Sequence, residues 1–351
     1  MEYSLVDEVA DADFADKRLT DRLAQVISSL GERPNLSLPA ALGGRADLEA
    51  AYRFFANEKV TPQAILAKHY EASLGRWARR KVVLLIQDAT EIDLTRPRQQ
   101  VAGAGPMDSE NRRGAFAHVM MAADPEGIPL GLVWSKLWTR DAISTTETAE
   151  QKCQRIKQTP IEEKESIRWI EGMRAAREVA SRCTGTECIC VADSEADIYE
   201  LLSEPRSTGQ GPAVQLLLRA CQNRRLSESA RRLLDTVKAT PILYTCALPV
   251  SARQPKTAAE TRKRRTQREG RTAHLEVRKS TVTLRPPYRP DRQLPEVSMQ
   301  VVLVDEVDAP EGSEPIQWLL ITTLPIDTDE QVQLIVHYYC QRWGIEVYFK
   351  T

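Results

Sequence analysis

Nowhere in this 351-residue sequence does an apolar run reach the length needed to cross a bilayer. The first thirteen residues are acidic rather than basic and then apolar, so they do not read as an export signal. Cysteine is scarce and irregular: the seven are scattered and odd in number, which excludes a disulfide framework. Cys188 and Cys190 are one residue apart in what reads as a buried strand, a spacing that suits neither zinc nor thiol–disulfide exchange. The expected compartment is a reducing cytoplasm. The four histidines are isolated, and no serine or cysteine has a recognisable base partner, so nucleophilic hydrolysis has no support. Net charge is almost absent at −1 although acids and bases are both abundant, so bulk charge neither predicts nor excludes a nucleic-acid partner. Internal repeats and low-complexity linkers are missing too.

What is present is enough apolar material, 42%, to build a folded core. The length suggests about two or three units. Residues 14–70 read as helical. DKRLTDRLAQVISSLGERP places Leu19, Leu23, Val26, Ile27 and Leu30 at helical spacing before a Gly-x-x-Pro stop, and Thr61-Pro62 is a fresh cap with proline in the first turn. Lys17, Arg18, Arg22, Arg33, Arg45 and Arg53 stud this unit; singly, each reads as a solvated helix face. At Lys81 the pattern changes. VVLLIQ is a continuous apolar run ending at Asp88, which predicts a buried strand with a carboxylate at its carboxyl end. AFAHVMMAAD and IPLGLVWSKLWTR, joined by Pro-Glu-Gly, predict a hairpin; residues 160–181 predict a helix. ECICVAD is a second buried strand, ending at Asp193, and GPAVQLLLRA a third, ending at Arg219. This alternation predicts an α/β fold with a mixed sheet.

Residues 222–315 break the rhythm with short strands, proline-rich joints and the basic run 262–265, and read as a mostly β insertion with a basic hairpin. The apolar strand WLLITT follows. The last stretch, residues 327–351, predicts one helix entered through Asp327, with Tyr339, Arg342 and Glu346 on one face at spacings of three and four. The expected units are thus 1–72, an all-α unit; 78–221, the first part of an α/β core; 222–315, the insertion; and 316–351, the last strand and the Glu-bearing helix.

If the strands carrying Asp88 and Asp193 are neighbours, their carboxylates land side by side, and Glu346 from a helix alongside completes a cluster of three. Hard oxygen donors without ring nitrogens call for Mg²⁺, with Mn²⁺ able to substitute. Two such ions about 4 Å apart can activate a water or a hydroxyl and stabilise the leaving oxygen in phosphodiester cleavage. Taken alone, an Asp after a strand is more often a turn former or helix cap than a metal ligand, and Asp193 could simply cap the helix that follows it.

Three blocks, LLIQDATEIDL, CVADSEADIYELL and YYCQRWGIEVYFK, resemble those of the DDE transposases of bacterial cut-and-paste elements, in the insertion-sequence-four class that includes the transposon five transposase. The last block is similar to that class's Tyr-x2-Arg-x3-Glu-x6-Lys signature at Tyr339, Arg342 and Glu346. The resemblance implies a ribonuclease-H-like core, an all-α DNA-binding domain at 1–72 that recognises transposon ends, binding of target DNA, and end nicking, hairpin formation and strand transfer in a homodimeric synaptic complex. It also implies a nucleoid-associated place in a bacterial cytoplasm. Asp88, Asp193 and Glu346 would be the catalytic and metal-holding residues, and Tyr339 and Arg342 phosphate contacts. Trp318 in PIQWLLITT would stack on a flipped base, and Arg219 would touch DNA. The signature's final Lys would fall at 353; Lys350, one turn after Glu346, would substitute in part. By this comparison the chain reads as carboxy-terminally truncated, with synaptic assembly impaired. The rival reading is a DNA-binding protein or inhibitor without catalysis.

Overall fold

The computed structural model describes residues 4–96, 101–108, 111–141, 148–209, 212–252 and 269–350; the basic run 262–265 lies outside them. Between Leu5 and Trp77 the described elements are all helical: α1 (Lys17–Glu32), α2 (Leu38–Ala41), α3 (Arg45–Phe55) and α4 (Pro62–Trp77). Asp16 caps α1 by accepting from the Arg18 N–H, and Thr61 caps α4 by accepting from the Ala64 N–H. Leu23 and Val26 point inward from α1, and Phe14 meets Phe54 of α3 edge-on with ring centroids 5.7 Å apart. α4 then leaves this small core and lies against the sheet.

That sheet has ten strands among the described residues: β1 (Val82–Asp93), β2 (Gly105–Pro106), β3 (Arg113–Ala123), β4 (Pro129–Trp138), β5 (Glu187–Ala192), β6 (Gln215–Arg219), β7 (Tyr244–Val250), β8 (Arg271–Leu284), β9 (Val297–Val307) and β10 (Gln317–Thr322). Their order is β2-β3-β1-β5-β6-β10-β9-β8-β7, with β4 on the outer side of β3. β1, β5 and β6 run parallel and every other pairing is antiparallel. The helices are α5 (Ala149–Gln158), α6 (Ile167–Ser181), α7 (Tyr199–Leu202), α8 (Leu233–Lys238), α9 (Asp329–Cys340) and α10 (Trp343–Tyr348).

Strand parity divides the interior into two cores. Leu85, Met120, Cys190 and Leu216 face Trp169, Met173 and Leu233 of α6 and α8. Their neighbours Leu84, Ile86, Met121, Val191 and Leu217 face Val332 and Ile335 of α9 and Ile345 of α10. Each such side chain, fully buried, contributes roughly 1.5–3 kcal/mol, and the alternation fixes which residues of each strand can reach α9 and α10. Cys188 and Cys190 are free and buried; burial pushes the Cys188 thiol up to about 12, which keeps it inert. Among the described residues no helix is long and apolar enough to cross a membrane.

The structure departs from the sequence expectation in three places. β1 does not stop at Asp88; antiparallel pairing with β3 carries it to Asp93, and only its parallel pairing with β5 ends near Asp88. The strands read as an insertion continue the same sheet, because β9 pairs with β10 and β10 with β6. The final helix is entered through Thr328, whose hydroxyl and Gln331 form a reciprocal capping box, rather than through Asp327. It is also two helices. At the joint, Gln341 and Arg342 donate to carbonyls three residues back, Tyr338 and Tyr339, at 3.2 and 3.1 Å, a tighter winding that redirects the chain.

The β3–β4 turn holds that joint. Asp124 Oδ1 accepts from the Glu126 and Ile128 N–H groups, and Pro125 O lies 2.9 Å from His337 Nε2. Gly127, at φ +83°, packs so closely on the Gln341 amide that a Cβ would collide with it.

Candidate functional site

The last registered pairs between the parallel strands are Gln87 with Ala192 and Ala192 with Leu218. One residue further along each strand, Asp88, Asp193 and Arg219 stand in adjacent positions, and Arg219 in turn pairs with Leu320 of β10. All three follow their strands by two from residues of the second core, Ile86, Val191 and Leu217, so parity directs them to the face covered by α9 and α10.

Arg342 fills that face. Its Nη1 donates to Asp88 Oδ2 at 3.0 Å across 254 residues of sequence, and its Nη2 donates to Glu346 Oε1 at 2.8 Å, one helical turn away. The guanidinium is nearly closed off, with 7% of its side chain exposed, and it stacks 4.6 Å from the Trp343 ring centre. Glu346 keeps 34% of its side chain in solvent. Burial pushes the Asp88 carboxyl up to about 6, and the charges of Asp193 and Glu346 push the same way against the Ala89 N–H and Arg342. Tyr339, buried behind Arg342, is also raised by burial, while Arg342 and Arg219 pull it back.

Asp193 does what its place after a strand allows: Oδ1 accepts from the Glu195 N–H at 2.8 Å and caps the turn Ser194–Ala196. Its second oxygen has no hydrogen bond among the described residues, so capping and a second role are compatible. Trp318 is half-buried and meets Tyr339 edge-on with ring centroids 5.4 Å apart; it packs on the second core. Arg219 donates to Gln317 O at 3.3 Å, turned along β10 rather than toward Asp193. Lys350 is exposed and pairs with none of the three carboxylates among the described residues. Thus Asp88, Arg342, Glu346 and Tyr339 come together, Asp193 stands beside them, Trp318 backs them, and Lys350 stays apart.

Among the described residues no three His, Cys, Asp or Glu side chains stand close enough to hold a metal ion. The donor set nonetheless suits Mg²⁺ in kind: three hard carboxylates, of which Asp88 is raised by burial first and by the charges of the other two, with a guanidinium as the present counter-charge. A divalent ion and Arg342 would answer the same electrostatic demand.

One feature escaped the sequence reading. Asp197, four residues after Asp193, is buried, accepts the Cys221 and Gln222 N–H groups at 2.9 Å each and pairs with Arg224. It thereby ties the ends of β5 and β6 together. The signal was only a second acid in SEADIYELL, which also reads as a helix cap. Arg112, just before β3, is bound to Glu91, Asp93 and Asp108.

Residues 1–60 match the family model described as transposase DNA-binding. A cryo-EM structure of a piggyBac transposase synaptic complex with hairpin DNA is similar over 99% of this chain, at 9% identity and a TM-score of 0.38. The chain spans 65% of the length of that protein.

Proposed function

We infer that the chain is a cut-and-paste DNA transposase with a ribonuclease-H-like DDE site, which binds the ends of its element through the helical unit and cleaves and rejoins DNA at Asp88, Asp193 and Glu346. The observation that carries this reading is the meeting of Asp88 and Glu346 on one guanidinium beside Asp193, in a chain whose first 60 residues match a transposase DNA-binding family. The three carboxylates would hold Mg²⁺ or Mn²⁺, which when bound supplies charge neutralisation and an activated oxygen nucleophile. The chain's own part is positional. β1 and β5 fix Asp88 and Asp193 at the end of their parallel pairing, and the joint between α9 and α10 sets Glu346. Released from the carboxylates, Arg342 has the fork geometry to bind a phosphate beside the scissile bond. Tyr339 lies behind it as a second polar contact. Trp318 and Arg219 flank the same face; the base-stacking role for Trp318 requires its edge contact with Tyr339 to open.

A DNA-binding protein without catalysis is favoured by one observation, that Arg342 already pairs with both Asp88 and Glu346. The two readings separate on metal-dependent cutting. A duplex bearing the element's own end is incubated with Mn²⁺ and either the wild type or Asp88→Asn. End-specific nicking by the wild type alone is the expected result. Binding without nicking by either protein would leave the DNA-binding reading standing.

A further inference from the structure

Away from the carboxylate cluster, a cleft of about 1140 Å³ opens where the segment after β6 passes the loop between β8 and β9. It is anchored on the first core, the one opposite α9 and α10, through Leu226, Leu284 and Leu294. Leu226 bridges to Leu284, and the Arg285 N–H donates to Arg225 O at 3.0 Å, which sets the two walls side by side. Tyr199 holds the floor with its hydroxyl 3.0 Å from Leu284 O and 2.8 Å from Pro295 O.

The lining is strongly one-signed. Six arginines face it against a single acid, Asp291. Arg224, Arg289 and Arg292 are occupied by Asp197, Glu200 and Glu162, which fix them as part of the wall. Arg225, Arg232 and Arg285 are exposed and have no acidic partner among the described residues. A concave site with three uncompensated guanidinium groups over low-dielectric walls concentrates positive potential. On its rim Tyr288 is 88% exposed, within the sequence RPPYRP, where prolines limit backbone freedom on both sides. Keeping a tyrosine in water on a stiffened loop leaves its ring face free for a planar partner, and a paired base hides its face in the stack.

We propose that this cleft binds single-stranded DNA, with phosphates on Arg225, Arg232 and Arg285 and one unpaired base stacked on Tyr288. The inference rests on the transposase reading for its choice of DNA, but not on the carboxylate chemistry. The strand it takes is distinct from the duplex end held by the helical unit, since the two surfaces lie on different parts of the fold. Backbone charge and base stacking together are the recognition mode of proteins that hold single strands without reading sequence.

The test is fluorescence anisotropy with a labelled 12-nucleotide oligothymidylate, a length about that covered by one such groove, titrated with the full chain across a salt series. The wild type is compared with the double variant Arg225→Ala/Arg285→Ala and with Tyr288→Ala; all three positions are exposed, and thermal melting checks that folding is intact. The double variant is expected to weaken binding on the order of tenfold at low salt and to flatten the salt slope by about 1.4, two phosphates' worth. Tyr288→Ala is expected to weaken binding about tenfold with the salt slope unchanged. Affinity for a duplex carrying the element's end should stay within twofold in both variants. Oligothymidylate binding unchanged in both variants would overturn the proposal. So would an equal loss for a random 12-base-pair duplex, or displacement of the oligonucleotide by polyglutamate at matched charge. Absence of nicking by the wild type as well as by Asp88→Asn, with these effects intact, would sink the catalytic reading and leave the cleft standing.

Discussion

Two residues, Asp88 half-buried and His118 buried, set opposite pH responses. Asp88 holds its proton up to about 6 when folded, against an ordinary value of 3.8. Stability from this group is therefore complete below about pH 4 and is lost as pH rises through 6. His118 is wholly buried between Trp134 and Trp169, at 5.4 and 4.4 Å, and burial with the Arg168 and Lys136 charges lowers it from 6.5 to about 3. Its term has the other sign: it is present above about pH 6.5 and lost as pH falls through 3. Denaturant titrations from pH 4 to 7 in chelator should show Asp88→Asn more stable than wild type at pH 7 by about 1–3 kcal/mol, the size of a two-unit shift less the lost partner of Arg342. His118→Leu should lose less stability than wild type on acidification. Parallel profiles for all three proteins would contradict both assignments. At this scale the sequence was informative about identity and poor about partners. Asp88 and Asp193 could be picked out because each ends an apolar run. That Arg342 binds Asp88, instead of standing ready for phosphate, depends on packing across 254 residues, which no local pattern encodes.

Helix and strand register carried most of the legible information, and junctions carried the surprises. The apolar runs of β1, β5 and β6 announce buried strands, and parity directs Asp88 and Asp193 to the face covered by α9 and α10. The split between α9 and α10 had one weak signal, Gly344, a poor helix former that helix interiors nonetheless tolerate; the tighter turn lies where the β3–β4 turn clamps His337 and Gln341. A similar close approach seats α4 on β4. Gly131 has φ +121°, and a Cβ there would collide with Ser73 Oγ and press on Arg76 Nη2. In the same contact Arg76 Nε donates to Leu130 O at 2.6 Å, and the Leu132 N–H donates to His69 Nε2 at 2.9 Å, which leaves Nδ1 to donate to Glu8. Gly131→Ala should therefore lower stability by about 2–4 kcal/mol in chemical denaturation, whereas Gly75→Ala, with open space around its Cβ, should change it by less than about 1 kcal/mol. Equal effects at the two sites would mean that the α4 contact is not built as described.

At the scale of the molecule, one sheet joins the strands flanking the carboxylates to those beyond them. β10 is the connector: it pairs with β6 through Leu320 and Arg219 and with β9 along its whole length. The composition shift after residue 222 marks a change of strand style, and sheet membership is settled by pairing partners a hundred residues away, beyond the reach of periodicity. Hydrogen exchange should accordingly find β9 amides such as Val302 and Leu303 as slow as those of Leu85 in β1 and Val191 in β5, as one cooperative unit. Exchange of β9 at least a hundredfold faster than β1 would indicate two units opening separately.

The guanidinium shared by Asp88 and Glu346 has a thermodynamic corollary. Any anion that draws Arg342 away leaves three acidic groups facing one another, and any cation that settles among those groups frees Arg342 to meet an anion. Each ligand thus removes the obstacle to the other, and by linkage the help is equal in both directions. A phosphodiester and a divalent ion would enter this site as a cooperative pair, each binding weakly alone.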